Sequence, residues 1–346
     1  MTAKPSKWQL YLGTTIVIIA VAGLRYVIAG GRIPLGTPAT PASLLSTEDQ
    51  AVRAKLAPVV ACINGTLPHF EGVAPAFQDT ARILGSPARL GIRPAPTYNG
   101  NLFKVTLWDK DGGQSLTCAA GLDKAASMPP RQEELDQTAS KIANLLRSMI
   151  QPGAAWDGYI DQRTYLDDGF ATGRTLVATL SPMLSDLVVQ SRRIETLVEA
   201  EDGAIRTRQL TAIEKRDGQT QRWHIERTMI AARALLTQTA DHIRADTADA
   251  AAIQAAIDPL QAAHDEGVSY AAAHPGDSPD LKTWRNLEPY VTDELRDAKE
   301  LRRTLADPSL EREADRRTRT TTLLRTVNAE FDQLVEAYNR DIPTSP

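Results

Sequence analysis

Of 346 residues only two are cysteine and five are histidine. The histidines, His69, His224, His242, His264 and His274, never stand three or four positions apart, and no HExxH occurs. A zinc site on one helix face is therefore not expected, and no metal ligand set is assigned. Neither a GxSxG elbow, a Walker loop nor a GxGxxG turn is present, so the common nucleophile and nucleotide motifs are missing. Nothing in the pattern calls for a cofactor, and no catalytic residue is assigned. Aromatic residues make up only 5% and the net charge is −4. The first favours helices over strands, and the second leaves no broad basic field for nucleic acid.

Charge is also missing from the stretch "WQLYLGTTIVIIAVAGL", residues 8–24. Its length approaches the roughly 20 residues that cross a bilayer. Lys4 and Lys7 precede it and favour a cytoplasmic tail, although Arg25 and Arg32 on the far side weaken the asymmetry. Residues 1–32 thus read as a retained membrane anchor, favoured by span length, or as a cleaved signal ending near "AVA" at Ala20–Ala22. Either way, the bulk of the chain is exported. Residues 33–45, "IPLGTPATPASLL", form a proline-rich linker that, at about 3.1 Å per residue, reaches some 40 Å.

The remainder, residues 46–346, is expected to be mainly α, an antiparallel helical bundle behind one N-terminal transmembrane helix. Ser46 or Thr47 opens the first helix, with acids in the first turn. Residues 85–101 are rich in proline and glycine and read as loop. Phe103, Val105 and Leu107 alternate ahead of "DKDGG", which predicts a short β-hairpin.

From Pro129 and Pro130, placed as a first turn, stripes at three- and four-residue steps follow: Leu135, Ala139, Ile142, Leu146 and Met149, then Leu176, Leu180, Leu184, Leu187, Ile194 and Val198. Later stripes run through Ile225 to Ile243, Ile253 to His264, and Leu324 to Tyr338. Breaks are expected at "QPGAAWDG", "HPGDSPD" and "ADPS". No period of solenoid length recurs. Cys62 and Cys118 could close a disulfide in an oxidising compartment or remain two buried thiols.

One stretch concentrates polar and aromatic groups: "YIDQRTYLDDGFATGRTL", Tyr159 to Leu176. Asp167 and Asp168 stand ahead of a helix and can accept from its free amides. Gly169 and Gly173 allow close approach, and Tyr159, Tyr165 and Phe170 can pin the loop to the bundle. The rival reading makes the same residues a binding site for a small ligand, or an enzyme site using Tyr165, Asp167 and Asp168. Adjacent carboxylates point apart, and no histidine, cysteine or lysine stands beside them in sequence, so structural entry is favoured.

At "ACIN" (61–64), "CAAGLDKA" (118–125), the Tyr159–Leu176 stretch, "RWHIERTMIAARAL" (222–235) and "LVEAYNRDI" (334–342) the chain resembles the YiiG-like bacterial envelope proteins. These are mostly lipoproteins grouped as a domain of unknown function. The resemblance implies a mainly helical exported domain and carries no enzymatic residues to transfer. Many relatives look acylated on a cysteine at the end of the signal, where this chain has Leu24, so a retained membrane helix is the expected substitute. The expected function is that of an inner-membrane, single-pass protein whose periplasmic domain binds a macromolecular envelope partner as scaffold, adaptor or immunity-like inhibitor.

Overall fold

The computed structural model describes residues 45–85, 113–245, 247–307 and 313–341. Among them the chain forms helices and no strand. These are α1 (Thr47–Gly65), α2 (Leu67–Gly85), α3 (Gly113–Ser127), α4 (Glu133–Asp161), α5 (Tyr165–Asp168), α6 (Ala171–Asp217), α7 (Gln221–Arg244), α8 (Ala250–Ala273), α9 (Pro279–Ala306) and α10 (Glu313–Asp341). No helix among the described residues is long and apolar enough to cross a membrane. The span expected at residues 8–24, most of the linker and the loop at 86–101 lie outside them.

The expected hairpin needs correcting. Its first arm lies outside the described residues, but residues from Gly113 onward, which would have supplied the second arm, are helical. The buried positions Ser115, Cys118, Ala119, Leu122 and Ala125 recur at three- and four-residue steps, a helical period that "DKDGG" masked in the sequence. The break expected at "QPGAAWDG" is also absent, because α4 runs through Pro152. The buried stripe continues from Met149 past the proline to Gly153, Trp156 and Tyr159, so packing outweighs the one lost backbone hydrogen bond. Pro129 and Pro130 precede α4 instead of opening it.

Contacts divide the chain into two compact units. In Ala51–Ala200, the predicted stripe of α4 is fully enclosed, and Leu180, Leu184, Leu187, Ile194 and Val198 of α6 are buried. The disulfide Cys62–Cys118 joins α1 to α3, with Cα atoms 4.9 Å apart. Lys55, completely enclosed on α1, pairs with Asp136 of α4 and donates to the carbonyls of Met128 (3.1 Å) and Pro130 (2.7 Å). A buried ammonium persists only when it is paired and hydrogen-bonded, and Lys55 meets both conditions.

The unit that holds Glu201–Asp341 contains a four-helix bundle, α7 to α10. Arg227 pairs with Glu266, His264 with Glu288 (3.2 Å), Asn286 with Asp341 (2.8 Å) and Tyr338 with Glu226 (2.8 Å). Each contact joins the start of one helix to the end of its neighbour or the middles of the two, which makes adjacent helices antiparallel. The core includes Ile225, Leu235, Ile257, Leu260, Val291, Leu324, Val327, Phe331 and Leu334. Asp249 and Ser278 cap α8 and α9 by accepting from Ala252 N (2.7 Å) and Leu281 N (3.3 Å). The break at "HPGDSPD" falls between α8 and α9 as expected.

Candidate functional site

The stretch from Trp156 to Thr175 folds as a tight reversal from α4 into α6. After α4 ends at Asp161, Arg163 adopts a left-handed conformation (φ 56°), α5 makes a single turn, and Gly169 and Phe170 follow with φ of 57° and 69°. Glycine accepts that conformation freely, whereas Phe170 pays a steric cost of about 1–2 kcal/mol. Two interactions hold Phe170 there: its amide donates to Asp168 Oδ1 at 2.9 Å, and its ring stacks on Tyr165 at 5.6 Å with planes 4° apart.

Asp168 is the hub. Its Oδ2 accepts from the Thr172 amide (2.9 Å) in the first turn of α6, and its Oδ1 also accepts from the Tyr159 hydroxyl (2.9 Å). Desolvation opposes ionisation, but these bonds, with the Thr172 hydroxyl, outweigh it and hold the Asp168 carboxyl below its ordinary value. Burial, then the Asp168 carboxylate, pushes the Tyr159 hydroxyl well up. At neutral pH Asp168 is held ionised and Tyr159 protonated.

Aromatic rings extend the anchor inward. Phe77 meets Trp156 edge-on at 5.1 Å, Trp156 lies 6.3 Å from Tyr159, and Tyr159 meets Tyr165 edge-on at 6.2 Å. A Cβ added at Gly173 would fall 2.8 Å from Tyr159 Cε1, so α6 can approach the ring only because this position is glycine. Of the expected binding residues, Tyr159, Tyr165, Asp168 and Phe170 therefore converge. Asp167 does not, and its side chain is exposed.

Sequence reasoning missed a second place. An open groove of about 560 Å³ runs along α4, lined by Arg131, Gln137, Ser140, Lys141, Asn144 and Ser148 together with the apolar Ala126 and Leu145, with Asp136 in its wall. Its periodic signal, polar residues at 137, 140/141, 144 and 148, matches an ordinary solvated face and so does not stand out. Lys141 pairs with Asp186 of α6 at 2.9 Å, which holds that carboxyl below its usual value. Among the described residues no group of three or more histidine, cysteine, aspartate or glutamate side chains could hold a metal ion.

The family described as "Protein of unknown function (DUF3829)" matches residues 93–340, more than two thirds of the chain. The chain belongs to the DUF3829 family. The match spans α3 to α10 and begins after α1 and α2, so "ACIN" at 61–64 lies before it. Within the matched region lie the reversal at Tyr159–Phe170 and the groove. The disulfide and the Lys55–Asp136 pair tie α1 to it. No curated protein and no solved structure matches the chain.

Proposed function

We propose that this DUF3829 protein is anchored in the inner membrane by residues 8–24, carries its helical domain in the periplasm, and binds a macromolecular partner of the envelope as scaffold, adaptor or immunity-like inhibitor. The observation that carries the binding reading is the groove along α4. It is open, and guanidinium, ammonium, amide and hydroxyl groups stand in its lining beside the apolar Ala126 and Leu145, a mixture that suits a macromolecular surface. The reversal at Tyr159–Phe170 supports the same choice over an enzyme. Its one central carboxylate, Asp168, is held low by four hydrogen bonds, and Tyr165 is fully enclosed, which leaves no acid poised near neutral pH.

Location rests on the apolar stretch and is supported by the Cys62–Cys118 bond, since structural disulfides persist in oxidising compartments. In this reading the protein is akin to the YiiG-like envelope proteins, with the membrane helix in place of the lipid.

The test is crosslinking in intact envelopes followed by fractionation. Wild-type protein should remain with the membrane after a carbonate wash and crosslink to one dominant envelope protein, and Arg131→Glu should lose that adduct. Recovery of the mature chain in the cytosol would overturn the location, and an adduct unaffected by Arg131→Glu would overturn the groove as the contact.

A further inference from the structure

Buried polar residues recur on α9 and α10 of the bundle. On α9, Thr283, Glu294, Asp297 and Thr304 are buried and recur at steps of eleven, three and seven, one helical edge. On α10, Thr320 and Asn328 are buried. The register is set at both ends: the Thr283 hydroxyl donates to the Asp341 carbonyl at 3.4 Å, and Arg319 lies 3.6 Å from Glu300. Glu294 falls between these ends with 0% exposure. Neither of its carboxyl oxygens has a hydrogen-bond partner among the described residues.

The charges around Glu294 do not neutralise it. From α10, Glu330 acts on it with the same sign. On α9, Arg296 turns to Asp293 (2.5 Å) and Asp297 (2.8 Å), Lys299 donates to Gln261 of α8 (2.6 Å), and Arg302 reaches Gln254 of α8. From α8, His264 is held between Asp265 and Glu288, at 3.2 Å from each. From α7, Arg222 pairs with Glu226 (2.8 Å), Arg227 with Glu266, and Arg233 reaches Asp202 (3.7 Å). With no metal-holding cluster among the described residues, a proton is the counter-charge that remains.

We propose that α10 is a proton-dependent latch: it docks on α9 while the Glu294 carboxyl is neutral, and its undocking hands that proton to water and uncovers the apolar edge Leu324, Val327, Phe331 and Leu334. The latch rests on the bundle alone and stands or falls independently of cellular location. The electrostatics agree with the geometry. Burial, then Glu330, pushes Glu294 up to about 8, and burial pushes Asp332, which accepts from Asn328 at 3.2 Å, up to about 6.

With α10 undocked, Glu294 of α9 is solvated and titrates near its ordinary 4.5. Below that value both forms hold the proton, and docking keeps its full strength. Between there and about 8 only the docked form holds it, so each pH unit favours undocking by about tenfold. Above about 8 both forms are ionised and the dependence ends. Asp332 adds to the same trend between its ordinary 3.8 and about 6.

Hydrogen exchange on the full-length chain, corrected for the intrinsic pH dependence of amide exchange, tests the latch. The opening constant of α10 amides should rise by about tenfold per unit between roughly pH 6 and 8, while α8 amides keep theirs. Glu294→Gln, close in shape and without the charge, should remove the rise. Opening of α8 and α10 together at every pH, or a slope that survives Glu294→Gln, overturns the proposal. If that variant does not fold, carbon-13 carboxyl titration of the wild type decides instead: a buried glutamate titrating near 8 supports the latch, and an ordinary value for every glutamate overturns it.

Discussion

The Tyr159 hydroxyl donates to Asp168 Oδ1 across 2.9 Å, and the same carboxylate accepts the amides of Phe170 and Thr172. Tyr159 is thus held to the cap of α6 by the group that forms the cap. Asp168→Asn keeps the shape but weakens the charge-assisted bonds, and it should cost about 1–2 kcal/mol in denaturant melts. Because Asp168 titrates below its ordinary value when folded, its contribution is present above about pH 4 and is lost as pH falls through the folded value. The variant should flatten that acid limb. An unchanged melting point would refute the capping role.

Gly173 faces the Tyr159 ring so closely that a methyl group would meet Cε1 at 2.8 Å, with Oη and Cζ at 3.1 and 3.2 Å. Gly173→Ala should destabilise the protein by about 1–3 kcal/mol despite alanine's better helix propensity. Adding Tyr159→Phe should not restore it, because the ring carbon remains. A melting temperature at or above wild type for Gly173→Ala would show that the ring can move aside.

Asp136→Asn leaves the Lys55 ammonium buried with two carbonyls and no counter-ion. Breaking such a pair from one side costs about 3–5 kcal/mol. Adding Lys55→Met should recover part of the loss, and a double-mutant cycle by equilibrium unfolding measures the coupling. Strictly additive losses would mean that the two residues act separately.

The Cys62–Cys118 bridge closes a loop with a sequence separation of 56. In the chain-entropy description such a bridge stabilises by about 4 kcal/mol. Reduction with dithiothreitol should therefore lower the thermal midpoint of the unit that contains it, read by circular dichroism. An identical melt with both thiols shown free by alkylation would contradict this.

Helix periodicity was legible wherever packing alone decides it. The α4 stripe from Leu135 to Met149 and the α10 edge from Leu324 to Leu334 are buried as their spacing requires. Proline misled the reading. Pro58, Pro75, Pro152, Pro182, Pro259 and Pro289 all lie inside helices, because buried faces on either side override one missing donor. At the candidate site, Asp168 and Gly173 were visible as cap and close approach. That Asp167 would be exposed was not, since neighbouring carboxylates differ only in direction. Lys55 and Glu294 were invisible for a further reason: a charge at a core position interrupts the stripe that would reveal it.

The enclosure of Lys55 has a practical corollary. An amine with no exposed surface and two backbone carbonyls for company is hidden from acylating reagents while the native packing lasts. Its modification therefore reports opening of the α1–α4 contact, a built-in chemical clock for that unit that needs no engineered label.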